Sequence, residues 1–165
     1  MIEATAFWSQ LKQHITLFSG VPDSTFGRSY NALADDPEVR FVAAVREDSA
    51  LGIASAAGLA GKRGAVVMQN SGIGNVVNAI TSFNLVYQVP ALLIIGWRGY
   101  RGADSDAPEH AVMGEKSAAI LDVLGVHNAV LDEAGWQRQV DDLISKMDAE
   151  HSPVALFVPP GVLQA

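Results

Sequence analysis

Residues 45–99 read VREDSALGIASAAGLAGKRGAVVMQNSGIGNVVNAITSFNLVYQVPALLIIGWRG. An acid, Glu47, follows an apolar run and opens a stretch rich in Ala and Gly. The pattern predicts a helix over 48–61 closed by Gly61, a strand over Ala65–Gln69, a glycine turn, a helix over 73–88 and a strand over Ala91–Ile95. Both strands are apolar without alternation, as strands covered on both faces are. Small and polar residues gather where each strand gives way to a helix. Open parallel sheets place ligands at those strand ends, so the stretch reads as a site as well as a fold fragment.

The same alternation continues on both sides. Ala6, Phe7, Leu11 and Ile15 repeat at helical spacing over about 3–14. A short strand over Thr16–Ser19 ends in Gly20-Val21-Pro22-Asp23-Ser24, where Ser24 is placed to cap a helix running to about Ala34. Arg40–Val45 reads as a strand. Residues 97–109 form one long loop rich in Gly, Asp and Pro. A helix to about Leu124, a strand over Asn128–Leu131, a helix over 134–149 and a strand over Val154–Val158 complete the pattern, with Pro159-Pro160-Gly161 as a stop. Six strands with crossover helices predict an α/β fold: one domain over 1–165, with a doubly wound, mostly parallel six-stranded sheet and helices on both faces.

Composition narrows the classes of function. A formal net charge of −7 argues against nucleic acid as a partner, because phosphate backbones require basic surface. It leaves room for a small anionic substrate held by one or two donors. There is no cysteine, hence no disulfide framework and no thiolate metal site. The first residues lack the basic start and apolar run of a signal peptide, and no apolar run approaches the roughly 20 residues of a membrane span. These features predict a cytoplasmic protein with no membrane partner.

Several residues are candidates for chemistry, each with a plainer alternative. Glu47 is either a carboxylate poised at a strand end for proton exchange or an ordinary acid at a helix start. In Gln69-Asn70-Ser71-Gly72-Ile73-Gly74-Asn75, the glycines let backbone donors approach a ligand; the alternative is a tight turn. It is not a dinucleotide fingerprint, which needs glycine where Val77 stands, and it lacks the G-K-[ST] of a phosphate loop. Pro22, Asp23 and Ser24 end a strand in the same way, or simply make a capped turn. Arg98 leaves a buried strand and is suited to clamp a carboxylate, sulfonate or phosphonate, unless it is a surface arginine. His110 closes the same loop. His14, His127 and His151 read as structural, and no histidine pair has metal-ligand spacing.

GVPDS at 20–24, REDSALGIASAAGLAGK at 46–62, MQNSGIGNVVNAI at 68–80, PALLIIGWRG at 90–99 and DAPEH at 106–110 together resemble the pyrimidine-binding domain of thiamine-diphosphate-dependent 2-oxo acid decarboxylases. Within that family the sequence is most similar to the sulfopyruvate and phosphonopyruvate decarboxylase branch. One departure lies after Glu47, where many relatives carry Gly at the place of Ala56 and this chain has Gly58. The resemblance implies a reason for Glu47: a carboxylate bonded to the pyrimidine ring nitrogen promotes the imino tautomer that activates the thiazolium, which then accepts the electrons left by CO2. By the same resemblance, Glu47, Gln69, Asn70, Ser71, Gly72 and Asn75 face the cofactor, and Pro22, Asp23, Ser24, Asn70, Arg98 and His110 face the substrate.

In this superfamily a second domain binds the diphosphate through Mg2+, using Gly-Asp-Gly followed later by Asn-Asn; this chain has neither a Gly-Asp nor an Asn-Asn pair. The resemblance therefore implies an α subunit with no metal ligands of its own. A separate diphosphate-binding β subunit would supply the Mg2+ site, in an α2β2 or larger assembly. The expected reaction converts 3-sulfopyruvate to sulfoacetaldehyde and CO2, of the kind used in coenzyme M biosynthesis. Phosphonopyruvate giving phosphonoacetaldehyde is the alternative substrate. A non-catalytic assembly or regulatory subunit of the same fold is the alternative class; intact Glu47, Gln69, Asn70 and Asn75 speak against it. The failed glycine fingerprints speak against an unrelated nucleotide-binding module.

Overall fold

The computed structural model describes residues 1–102 and 106–164. Its strands are β1 (Ile2–Glu3), β2 (Leu17–Gly20), β3 (Phe41–Ala43), β4 (Gly64–Gln69), β5 (Leu92–Gly96), β6 (His127–Val130), β7 (Val154–Val158) and β8 (Leu163–Gln164). Its α-helices are α1 (Ala4–Lys12), α2 (Arg28–Ala34), α3 (Glu47–Leu59), α4 (Ile73–Ala79), α5 (Leu85–Tyr87), α6 (Ala111–Val123) and α7 (Trp136–Glu150). Six strands form one sheet in the order β3-β2-β4-β5-β7-β6, and every pairing in it is parallel. The doubly wound α/β expectation holds, with no antiparallel member among the described strands.

The unbroken apolar strands split by parity. Ala65, Val67, Leu92, Ile94, Val154, Leu156 and Val158 join a core with Phe7, Leu11, Leu33 and Leu143 from α1, α2 and α7. Val66, Met68, Leu93, Ile95, Ala155 and Phe157 join a second core with Leu51, Ala54, Ile73, Val76 and Leu121 from α3, α4 and α6. Successive strand residues point to opposite faces, so a sheet with helices on both sides needs apolar residues at every position. Each fully buried Leu or Phe stabilises the fold by roughly 1.5–3 kcal/mol.

The Ala-rich composition of α3 has a direct cause. Ala50, Leu51, Ala54 and Ala57 are buried, and a Cβ on Gly64 would lie 2.1 Å from the Ala54 carbonyl oxygen. Helix and strand backbones touch there. Gly58 is needed as well, because a Cβ on it would lie 2.8 Å from the Pro90 carbonyl oxygen; this explains the glycine two positions after Ala56.

Four expectations need correction. Ser24 does not cap α2: the helix starts at Arg28, after Gly27 at φ 51°, and the Ser24 hydroxyl turns to Arg98 instead. The helix expected over 73–88 is interrupted by a π-helical segment at Ile80–Asn84. There the buried Asn84 amide donates to Ser55 Oγ at 2.8 Å and to the Val89 carbonyl at 2.9 Å, and Gln88 ends the run at φ 54°. The strand expected over Arg40–Val45 is only Phe41–Ala43, at the sheet edge. Finally, Pro159-Pro160-Gly161 does end β7 at Val158, but β7 is not the last strand: β8 follows and pairs with β1 in parallel, tying the two chain ends together. Within the loop expected over 97–109, residues 103–105 lie outside the described residues.

Two glycine replacements are expected to move stability in opposite directions. Gly64→Ala drives a methyl into the α3 backbone and should lower it by about 1–3 kcal/mol, as overpacking does. Gly52→Ala, within α3 with nothing within 4 Å of the new methyl, should raise it by roughly 0.5–1 kcal/mol. Urea unfolding of the two variants measures both changes.

Candidate active site

The chain crosses the sheet so that β2 connects outward to β3 and β4 connects the other way to β5. That reversal makes β2 and β4 the switch point, and ligands of open parallel sheets lie outside the carboxyl ends of strands there. The candidate residues lie in the turns after β2, β3, β4 and β5 or at the strand ends and first helical turns that border them.

Glu47 is the first residue of α3 and is half-buried. Asn75 Nδ2, from α4, donates to its Oε2 at 2.7 Å. Gly72 is packed so closely that a Cβ on it would lie 2.4 Å from Glu47 Cγ, so only glycine admits the carboxylate in this position. The neighbouring acid plays the plainer role. Asp48 pairs with Arg46 at 3.1 and 3.0 Å and accepts the Ser49 N–H at 2.8 Å. The Arg46 guanidinium holds the Asp48 carboxyl below its ordinary range. Arg46 is thereby engaged, and among the described residues no donor reaches Glu47 Oε1. A carboxylate with one fixed and one open oxygen suits a ring nitrogen that takes or gives a proton, the chemistry of a pyrimidine. Gly74, with nothing within 4 Å of its Cβ position, leaves space beside Asn75.

The other polar residues of this turn part company. Gln69 Nε2 donates to Ser71 Oγ at 2.7 Å, at the surface. Asn70 is buried and faces inward. Its Oδ1 accepts the Arg98 N–H at 3.0 Å, and its Nδ2 donates to the Arg98 carbonyl and to Ser117 Oγ, each at 3.0 Å. Asn70 thus pins the end of β5 to the end of β4; its amide is engaged within the protein.

A second group surrounds Asp23, which is buried after β2 while Pro22 and Ser24 are exposed. Asp23 Oδ1 accepts the Thr25 N–H at 2.9 Å, whereas Oδ2 has no hydrogen-bond partner. Gly96 makes room for that oxygen: a Cβ there would lie 1.9 Å from it. Burial pushes the Asp23 carboxyl up from its ordinary range, against the pull of Thr25, Arg98 and His110. Half-buried His110 closes the 3-10 turn Pro108–His110 before α6.

Arg98 does not stand open. Its Nε and Nη2 hold both oxygens of Asp106 at 2.6 and 2.5 Å, and its Nη1 donates to Ser24 Oγ at 2.7 Å. The Gly99 and Ala107 N–H groups also bond Asp106. The guanidinium expected to clamp an anion thus already holds one from its own loop. Asp106 and Thr25 escaped sequence reasoning. The acid lies eight positions from Arg98 in an irregular loop, and only the preference of a half-buried arginine for a carboxylate pointed to it.

Among the described residues no three His, Cys, Asp or Glu side chains stand together as a metal-ligand group, and no helix is long and apolar enough to cross a membrane. Among the described residues there is no group that fits a Mg2+ ion.

A cofactor domain of the thiamine enzymes is the class that this fold and site define. Residues 3–120 match the thiamine pyrophosphate enzyme, N-terminal TPP binding domain, and the chain belongs to that family. It is similar to the sulfopyruvate decarboxylase subunit alpha of Methanocaldococcus jannaschii, 38% identical over 119 residues, 72% of this chain and 69% of that one. A phosphonopyruvate decarboxylase of Streptomyces viridochromogenes is 29% identical over 151 residues, 90% of this chain. A sulfopyruvate decarboxylase of Methanosarcina acetivorans is 26% identical over 131 residues, 78% of this chain. The chain spans 38% of the length of that phosphonopyruvate decarboxylase and 32% of the Methanosarcina protein.

A buried, unpaired carboxylate carries a testable sign. Because the fold raises the Asp23 proton affinity, native chain binds more protons than unfolded chain over a window starting at the ordinary carboxylate range. Stability is therefore present below that range and falls as pH rises through the folded value. Asp23→Asn should be more stable than the parent at pH 7, with the difference shrinking as pH drops toward 4. Thermal unfolding of both proteins across that range measures it.

Proposed function

We propose that this chain is the α-type subunit of a thiamine-diphosphate-dependent 2-oxo acid decarboxylase that converts 3-sulfopyruvate to sulfoacetaldehyde and CO2. The observation that carries this reading is the Glu47 carboxylate, fixed on one oxygen by Asn75 and open on the other. When bound, thiamine diphosphate supplies an electron sink for the carbanion left by loss of CO2. Glu47 would hold or move a proton at the pyrimidine nitrogen, Asn75 and Gly72 would fix its direction, and Gln69 and Ser71 would border the ring. Pro22, Asp23, Ser24 and His110 would face the substrate, with Asn70 and Arg98 supporting them.

The reaction replaces a C–CO2⁻ bond by a C–H bond and so takes up one proton. Asp23, whose burial favours the protonated form, is a group of this chain suited to deliver it. Similarity over 90% of the chain to a phosphonopyruvate decarboxylase favours phosphonopyruvate as the second candidate. Sulfonate and phosphonate share tetrahedral anionic geometry.

The reading includes a diphosphate-binding β chain that holds Mg2+, in an α2β2 or larger cytoplasmic assembly. The names of relatives called subunit alpha support it. So do the exposed Val45, Leu59, Val86 and Tyr87 around α3 and α5, and the exposed small residues Gly52, Ala56 and Gly74 on α3 and α4.

Two measurements test the proposal. The purified chain with cofactor and Mg2+ should release no CO2 from 3-sulfopyruvate, and co-expression with a β chain should restore release; turnover by this chain alone refutes the divided enzyme. In the assembled enzyme, Glu47→Gln should lower kcat about 10²–10⁴-fold, the usual loss of an acid–base group. Near-parental turnover would reduce Glu47 to a helix-end acid.

A further inference from the structure

We infer that Asp106 is a positioning residue: by occupying Arg98 in a two-point ion pair, it makes Arg98 a brace for the Asp23 turn rather than a binder of the substrate's distal anion. This rests on the reading above, in which the turns after β2 and β5 face the substrate.

The geometry is a chain of bonds across three strand ends and a helix. Ser117 of α6 meets Asn70 after β4, and Asn70 holds both the N–H and the carbonyl of Arg98 after β5. With its backbone fixed at both groups, Arg98 directs its guanidinium across the loop. Nε and Nη2 meet the two oxygens of Asp106, and Nη1 reaches Ser24 after β2. Asp106 is itself held from behind by the N–H groups of Gly99 and Ala107. A bidentate Arg–carboxylate pair has fixed geometry and strong, charge-assisted bonds. Arg98 and Asp106 are both largely shielded, at 24% and 13% side-chain exposure, so solvent screens the pair less than at an open surface.

Two consequences follow. The positive charge of Arg98 is already matched by a carboxylate in the geometry that a substrate anion would otherwise take. And Ser24, adjacent to Asp23, is gripped by the third point of the same guanidinium. The Asp23 carboxylate has one oxygen without a partner, so its place depends on the turn that carries it. Arg98 and Asp106 supply that support from the neighbouring loop, and the 106–110 segment leading to His110 is anchored by the same pair.

The test has an arm that does not need activity. Amide hydrogen exchange is measured on the chain assembled with its β partner, parent against Asp106→Asn and Arg98→Lys. Asparagine cannot form the ion pair and lysine cannot form the fork. Both variants should speed exchange of the Thr25 N–H, which is bonded to Asp23, at least tenfold. Unchanged exchange at Thr25 overturns the brace.

The kinetic arm uses 3-sulfopyruvate and pyruvate with the same enzymes plus Arg98→Ala and the double variant Arg98→Ala/Asp106→Asn. A brace predicts that kcat falls about tenfold or more for both substrates, KM for sulfopyruvate stays within about threefold, and the double variant is no worse than the poorer single one, as members of one unit behave. A rise in KM confined to sulfopyruvate in Arg98→Ala, with Arg98→Lys retaining affinity, overturns the inference and makes Arg98 the anion clamp. If the parent enzyme decarboxylates neither substrate, the functional reading fails, while exchange at Thr25 still decides the brace.

Discussion

The structure depends on burying one parallel sheet from both sides. β4, β5 and β7 carry apolar side chains at consecutive positions, and the two resulting cores share no strand residue. A one-residue slip would exchange the two faces of a strand, and the shapes of the two helical layers would no longer match. Register is therefore tightly specified. Because the strands are parallel, their carboxyl ends all lie along one edge. Every turn there begins from a rigid strand, so polar groups on the turns inherit fixed positions.

Close backbone contact extends that rigidity into the turns. A Cβ on Gly114 would lie 2.2 Å from the Gly99 carbonyl oxygen, and one on Gly99 would lie 2.4 Å from that of His110. The start of α6 thus sits directly on the turn after β5. Trp97 seals this joint, its Nε1 donating to the Gly114 carbonyl at 2.8 Å while its ring packs 4.4 Å from that of Phe157. Gly72 against Glu47 is the same device at the end of β4. At Gly64, Gly72, Gly96, Gly99 and Gly114 the missing side chain is what lets another group come near.

Charge is distributed with a similar economy. Acids needed for structure are paired: Asp48 with Arg46, Asp106 with Arg98, Asp148 with Arg63. Among the described residues Glu47 and Asp23 have no cationic partner bonded to them, and both sit at strand ends on the same edge of the sheet. An unpaired carboxylate disfavoured by burial, as at Asp23, is a pattern found where proton affinity is tuned for chemistry. In the proposed reaction that pattern has a use, since a cofactor that carries the electrons leaves the protein to handle protons and orientation.

Much of this was legible in the residues themselves. Unbroken apolar runs such as ALLII identify strands buried on both faces, Gly61 closes α3, and the acid opening an Ala-rich helix marks Glu47, because these are local consequences of side-chain size, periodicity and backbone freedom. Other features required the tertiary structure. Which acid of Arg46-Glu47-Asp48 is held at the strand end depends on Asn75, 28 positions away, donating to Glu47. Asn70 turns inward because the carboxyl end of β5 lies beside that of β4, and Arg98 is braced because a loop folds Asp106 onto it. The π-helical segment at Ile80–Asn84 arises from a buried amide reaching Ser55, 29 positions away. In each case the deciding partner is distant in sequence or lies in an irregular loop. Periodicity determines which face a residue presents; only the packed chain determines which polar group stands opposite it.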